Sequence, residues 1–400
     1  MLFAALLKSI IRTGNLRLID GAGRTHRIGA DEPPRCTIRL ARRGLGYTLA
    51  LNPALYVGEA YMDGTLTIEE GTLYDFLELA AQNYVHLERN RWFALLNNVT
   101  RRLQQYNPVG RARRNVAHHY DLSGKLYDLF LDRDRQYSCA YFASDTDSLE
   151  TAQENKKRHI ASKLLLDRPG LQVLDIGSGW GGLGLYLAQE TGADVTGVTL
   201  STEQHRVSQD RAAETDLAGR VRFHLRDYRA ETGRYDRIVS VGMFEHVGEP
   251  HYREFFRKLK DLLTDDGIAL LHSIGRIDPP GGTNPWLQKY IFPGGYTPAL
   301  SEVMTAVQDV GLWVTDIEIL RLHYAETLRA WRHRFVAHRD AIRALYDERF
   351  CRMWEFYLTG SELAFRHGGQ MVFQMQLARR QDAVPLTRDY MVDWERTHTG

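Results

Sequence analysis

The stretch Val173-Leu174-Asp175-Ile176-Gly177-Ser178-Gly179-Trp180-Gly181-Gly182 decides the fold. An apolar run breaks into a glycine-dense turn, and a helix-like segment, Leu183 to Gln189, follows. This order predicts a strand, a tight loop and a helix N-terminus. Glycines let a backbone approach a ligand where a Cβ would clash. A helix start also offers unpaired N–H groups to a polar group. A nucleotide-like cofactor is expected here, against the plainer reading of a structural turn.

The identity of that cofactor needs more than the loop. Gly177-x-Gly179-x-x-Gly182 also satisfies the dinucleotide fingerprint. A dinucleotide site expects an acid near the end of the next strand, on the ribose hydroxyls. That strand reads Asp194-Val-Thr-Gly-Val-Thr-Leu-Ser201, and its end carries none. Asp175, just before the glycines, instead fits the acidic-strand-then-GxG pattern of S-adenosylmethionine (SAM) methyltransferases.

Outward from this loop, strands are predicted at Gln172–Ile176, Asp194–Thr199, Val221–Leu225, Arg237–Val241 and Gly267–Leu271, with helices at Thr202–Glu214 and His251–Leu263. Such alternation predicts an α/β fold, an open and mostly parallel sheet with helices on both faces. Ligands then bind beyond the C-terminal strand ends. Ser201 or Thr202 is expected as the N-cap beside Gln204, which has reach to a ribose or methionine group. Asp227 could accept from an adenine amino group and Tyr228 could pack on the base; a turn before the next helix is the competing reading. Glu245 and His272 follow successive strands, so both are expected on the sheet rim near the transferred group.

With 400 residues, 44% hydrophobic and 25% charged, the chain is long enough for one large or two ordinary domains. The expected division is a small N-terminal α+β domain over 1–95, an Arg-rich connector over 96–116, and a catalytic domain over 117–400. In the first, strands are expected at Asn15–Asp20 and Cys36–Leu40 and a helix at Leu73–Ala81. A net charge of +1 argues against bulk polyanion binding, and no basic-aromatic stripe points to nucleic acid. Arg101, Arg102, Arg111, Arg113 and Arg114 form either a solvated linker or a patch for anionic lipid head groups. Cys36, Cys139 and Cys351 show neither metal spacing nor a disulfide framework, so the cytoplasm is the expected compartment. The first fourteen residues suggest a short amphipathic helix, too short to span a bilayer. Its apolar face (Leu2, Phe3, Leu6, Leu7, Ile10, Ile11) would dock either on a membrane or on protein.

Taken together, these segments resemble the cyclopropane-fatty-acyl-phospholipid synthase family, SAM-dependent enzymes related to the mycolic acid cyclopropane synthases. The resemblance runs from about 117 to 375. It is carried by His119-Tyr120-Asp121, Gln136 to Tyr141, the loop from Leu174 to Gly182, Ile238 to Gly248, Leu271 to Gly275, Lys289 to Pro293 and Tyr324 to Trp331. It implies a Rossmann-like class I SAM methyltransferase fold. It also implies SAM contacts from Tyr137, Ser138, Gly177, Gly179, Thr199, Ser201, Gln204, Asp227 and Tyr228, beside the Asp175 of the loop pattern. A bicarbonate ion is implied as well, held by Cys139, Glu245, His272, the backbone of Ile274, and Tyr324. Ser178 stands where many relatives have cysteine.

The implied reaction adds a methylene from SAM across the cis double bond of an unsaturated phospholipid acyl chain, giving a cyclopropane, with bicarbonate as general base. Methylation without ring closure is the alternative. Attack on the sulfonium methyl would leave a carbocation, which aromatic faces stabilise; Trp286, Tyr290 and Phe292 are candidates beside a plain packing role. Cys139 as a covalent nucleophile ranks below Cys139 as buried core. A homodimer, peripheral at the inner membrane surface, is expected.

Overall fold

The structure, a computed structural model, describes residues 2–83, 124–217 and 219–398. The connector arginines, His119-Tyr120-Asp121 and the expected domain boundaries at 95 and 117 lie outside the described residues. What is described forms two compact units.

The first unit combines residues 2–83 with Gly281–Pro293 and Leu328–Gly369. Its four-stranded sheet has the order β2-β1-β3-β4, from β1 (Asn15–Ile19), β2 (Thr25–Gly29), β3 (Arg35–Leu40) and β4 (Leu66–Glu70). β1 and β2 form an antiparallel hairpin, while β1 and β3 run parallel. Inward residues Leu16, Leu18, Ile38, Leu40 and Leu66 build one core with Phe76 and Leu79 of the helix Leu73–Gln82. Thr72 caps that helix, its side chain accepting from the Asp75 N–H while the Asp75 carboxylate takes the Thr72 N–H.

The N-terminal helix Leu2–Ile10 resolves the two readings of its apolar face. Phe3, Ile10 and Ile11 are buried, and Leu6 and Leu7 pack part-buried on the same core, leaving Leu2 exposed. That face therefore covers its own unit. Trp286 is also core here, 4.8 Å from the Phe356 ring and packed so closely on Gly58 that a Cβ there would lie 2.5 Å from its Nε1.

The second unit holds a seven-stranded sheet of order β10-β11-β9-β8-β5-β6-β7. Its strands are β5 (Gln172–Ile176), β6 (Asp194–Thr199), β7 (Val221–Leu225), β8 (Tyr235–Val241), β9 (Leu263–Arg276), β10 (Trp313–Ile319) and β11 (Gln370–Ala378). The run from β9 through β8, β5 and β6 to β7 is parallel, whereas β11 is antiparallel to both its neighbours. The apolar strands alternate between two buried layers. Leu174, Ile176, Ile238 and Leu271 pack with Phe255, Leu259, Val303 and Val307 on one face. Val173, Val195, Val239 and Leu270 pack with Ile160, Leu187, Ala212 and Phe223 on the other. Both faces are covered, as parallel strands require, and this is the Rossmann-like α/β sheet of the sequence reading. β9 is longer than the Gly267–Leu271 read from sequence, because its pairing with β11 continues to Arg276.

Candidate active site

The ends of β5, β6, β7 and β8 converge on one pocket. The glycine loop opens it. Gly177 and Ser178 donate their N–H groups to Val198 O at 2.9 and 3.1 Å, tying the loop to β6. Gly177 adopts φ +84°, and a Cβ on it would lie 2.8 Å from the Met243 Cβ. Gly179 adopts φ +54°, and open space faces the position of its missing Cβ. The loop thus forms a cradle with room for a ligand against its backbone, and the helix Gly182–Thr191 starts directly behind it.

Nine of the ten residues expected at the cofactor line this pocket: Tyr137, Ser138, Asp175, Gly177, Gly179, Thr199, Gln204, Asp227 and Tyr228. Ser201 does not. It caps the helix Thr202–Ala213, its side chain accepting from the Gln204 N–H. Thr199 Oγ1 donates to Gln204 Oε1 at 3.1 Å, which orients the Gln204 side-chain amide. The Asp227 carboxylate accepts from Arg229 Nε and an Arg229 terminal nitrogen at 2.9 and 2.8 Å. Tyr228 packs edge-on to Phe255, 5.4 Å between centroids. Tyr137 packs edge-on to Tyr127 at 5.5 Å.

Asp175 is the most telling of the set. Its side chain is buried, and Oδ2 has no hydrogen-bond partner. Burial pushes its pKa up to about 7, with the Lys156 charge opposing. A buried acceptor without a donor is costly, and a ligand bearing hydroxyl or ammonium donors would satisfy it. An orphaned acid, an open backbone cradle and a helix N-terminus fit the polar end of SAM.

The second set of residues lies beside this pocket. Glu245 sits in the short turn Phe244–His246 after β8. His272 lies within β9 and not beyond it, which corrects the placement read from sequence, and Ile274 is two residues further along the same strand. The Ile274 N–H donates to Glu245 Oε1 at 2.6 Å, so it orients the carboxyl directly. Glu245 Oε2 is buried and unpartnered. Burial pushes the Glu245 pKa up to about 7 against the opposing pull of that N–H. Burial also holds the His272 ring well below its usual pKa, as a neutral imidazole. The Gly242 N–H donates to His272 O at 2.9 Å, and the Ser138 Cβ lies 3.9 Å from the position of a Gly242 Cβ. The pocket wall and β9 are therefore in direct register.

Cys139 follows Ser138 in the chain. Its thiol is fully buried, donates to Ala140 O at 3.3 Å, and is pushed far up by burial. That excludes a resting thiolate nucleophile. The Ala140 N–H donates to Thr327 Oγ1 at 3.0 Å, and the Phe142 N–H to His323 Nδ1 at 3.0 Å. These bonds dock the segment onto the first turn of the helix His323–Ala337, which carries the buried Tyr324. The aromatic candidates for charge stabilisation belong to the first unit, where Phe292 packs edge-on to Tyr357 at 5.6 Å and Tyr290 Oη donates to Glu59 at 2.8 Å.

Sequence reasoning missed Lys156. It is fully buried on the helix Leu149–Lys163, and its Nζ donates to Gln136 Oε1 at 2.5 Å and Ser138 Oγ at 2.8 Å. Burial lowers its pKa to about 8 while Asp132 opposes. Its charge acts on Asp175, Cys139 and His272 alike, so it lies within reach of both residue sets. Its helix is so rich in charge that sequence alone reads it as solvated.

Comparison with known proteins agrees with this geometry. The profile of a family described as mycolic acid cyclopropane synthetase matches residues 109–375. The chain is 37% identical over 326 residues to the cyclopropane-fatty-acyl-phospholipid synthase of Escherichia coli (strain K12), covering 82% of this chain and 83% of that one. It is 37% identical over 361 residues to tuberculostearic acid methyltransferase UfaA1 of Mycobacterium tuberculosis, covering 87% and 82%. The solved structure of mycolic acid cyclopropane synthase CmaA1 complexed with SAH and CTAB aligns with a TM-score of 0.63 at 34% identity, over 68% of this chain and 99% of that one. With its class I sheet, its glycine cradle and a family match over most of its length, this chain belongs to the mycolic acid cyclopropane synthetase family and is a SAM-dependent methyltransferase.

Proposed function

We propose that the protein transfers a methylene from SAM to the cis double bond of an unsaturated phospholipid acyl chain, closing a cyclopropane ring at a bilayer surface with bicarbonate as the base. The observation that carries this reading is Glu245: a buried carboxyl, half neutral near pH 7, with one oxygen fixed by Ile274 and the other unpartnered beside the pocket wall. Bound SAM would supply an electrophilic methyl group, and bicarbonate held by Glu245, His272 and Tyr324 would supply a basic oxygen.

This chain's residues supply the rest. Asp175, Gln204 and the glycine cradle bind and orient the donor. Protonated Glu245, the neutral His272 ring and Tyr324 are donors suited to a small anion, and the thiol of Cys139 adds no competing charge. Burial of His272, Tyr324 and the Oε2 atom of Glu245 excludes water, which would quench a cationic centre on the lipid chain. No helix among the described residues is long and apolar enough to cross a membrane, and the contact with lipid in this proposal is peripheral.

A second reading, methylation without ring closure, is favoured by the match to UfaA1, which equals the synthase match in identity and covers more of the chain. One experiment separates them: incubation with SAM and vesicles of a cis-monounsaturated phospholipid, then mass spectrometry of the fatty acids. A gain of one CH₂ that resists mild hydrogenation supports ring closure. The same gain with a reducible double bond supports the second reading. No gain refutes both.

A further inference from the structure

His272 does not stand alone on β9. Directly across the antiparallel pairing stands Gln374 of β11. Gln374 Nε2 lies 3.1 Å from His272 Nδ1, and Gln374 Oε1 lies 2.7 Å from Lys163 Nζ. Lys163 Nζ also meets the Glu318 carboxylate, and the same Glu318 oxygen lies 2.7 Å from His159 Nε2. His159 Nδ1 meets Glu395, from the C-terminal helix Asp389–Thr397. Lys163, Gln374 and His272 are all buried.

This chain of contacts has a direction. A lysine ammonium donates and never accepts. The Gln374 atom facing it must therefore be the oxygen, since an NH₂ there would set donor against donor. The amide is planar, so its NH₂ then faces His272. A donor at Nδ1 requires a lone pair on that nitrogen, which leaves the single proton of a neutral ring on Nε2. Glu318 keeps Lys163 in the donating form: burial pulls the ammonium down, and the adjacent carboxylate opposes it.

We propose that Lys163 and Gln374 are positioning residues that lock His272 as the Nε2–H tautomer, so that this ring offers the reacting centre a hydrogen-bond donor and no basic lone pair. The inference rests on the catalytic assignment of His272 above. It assigns the ring to holding an anion and removes it as the base.

The test is long-range ¹H–¹⁵N NMR on the full-length protein with ¹⁵N-histidine, the His272 signals being assigned by their loss in His272→Asn. The expected wild-type pattern is Nε2–H. Gln374→Glu places an acceptor opposite Nδ1 and is expected to move the proton there. Turnover should fall roughly 10²-fold, the cost of losing one aimed donor, while SAH affinity is unchanged. Lys163→Met, which frees the amide to rotate, should give a mixture of tautomers. A wild-type ring protonated at Nδ1, or a pattern indifferent to both substitutions, overturns the lock. A tautomer that switches without loss of turnover upholds the lock and refutes the catalytic assignment of His272, so the two failures are distinguishable.

Discussion

Asp175→Asn should make the ligand-free protein more stable at alkaline pH than the wild type, relative to their difference in acid. The Asp175 carboxyl titrates near 3.9 in an unfolded chain and at about 7 in the fold, because burial penalises its charge. Its folded pKa is raised, so its stabilising contribution is full below the unfolded pKa and is lost as pH rises through 7. Each pH unit between the two values costs about 1.4 kcal/mol. From pH 5 to pH 8 the wild type should therefore lose about 2.5 kcal/mol that the variant keeps. Any fixed cost of the buried amide cancels in this difference. The assay is urea unfolding at both pH values, read by pulse hydrogen–deuterium labelling on the peptide carrying β5. The wild-type midpoint should fall relative to the variant as pH rises, and saturating SAH should shrink that shift by satisfying Oδ2. An equal gap at pH 5 and pH 8 would refute the claim that this carboxyl is buried without a partner.

Three further outcomes are expected. Gly177→Ala forces a side chain into a left-handed backbone at a cost of about 1–2 kcal/mol and brings its Cβ 2.8 Å from that of Met243; calorimetry should show weakened SAH binding, and unchanged affinity would remove the loop from the site. Glu245→Gln should lower turnover by roughly 10²–10⁴-fold with SAH affinity intact; retained activity would move the chemistry elsewhere. Trp286→Ala should destabilise the first unit by about 3–5 kcal/mol, measured by unfolding read on peptides from residues 2–83, and a loss below about 1 kcal/mol would contradict its core role.

The parts legible in sequence are those where one layer of physics acts alone. β5, β6 and β7 are short apolar runs bounded by turn residues, and their predicted ends match the observed ones. The glycine loop is legible because positive φ restricts the residue type. The residues at the strand ends follow from topology, which brings Gln204, Asp227 and Tyr228 to the pocket, whereas Tyr137 and Ser138, which follow no strand, are implied by the family resemblance. Illegible parts depend on partners distant in the chain. β11 reads Gln370-Met-Val-Phe-Gln-Met-Gln-Leu-Ala378, and its glutamines look solvated until Lys163 and Tyr390 are placed beside them. Lys156 and Lys163 look like a charged helix face until Ser138 and Glu318 are placed against them. Tertiary contact overrides composition at these sites, and they adjoin the chemistry.

The interrupted course of the first unit has a consequence for biogenesis. Its residues come from 2–83, Gly281–Pro293 and Leu328–Gly369, while β10 and β11 of the second unit lie on either side of the last of these. A ribosome delivers residues in order, at roughly 5–20 per second. The N-terminal sheet therefore emerges long before the late helix Glu348–His367 that belongs to its unit. The second unit in turn cannot pair β9 with β11 until that helix has passed. Nascent chains arrested before residue 348 should thus expose apolar surface from both units and engage chaperones, whereas release after residue 378 should end that exposure for both within one step.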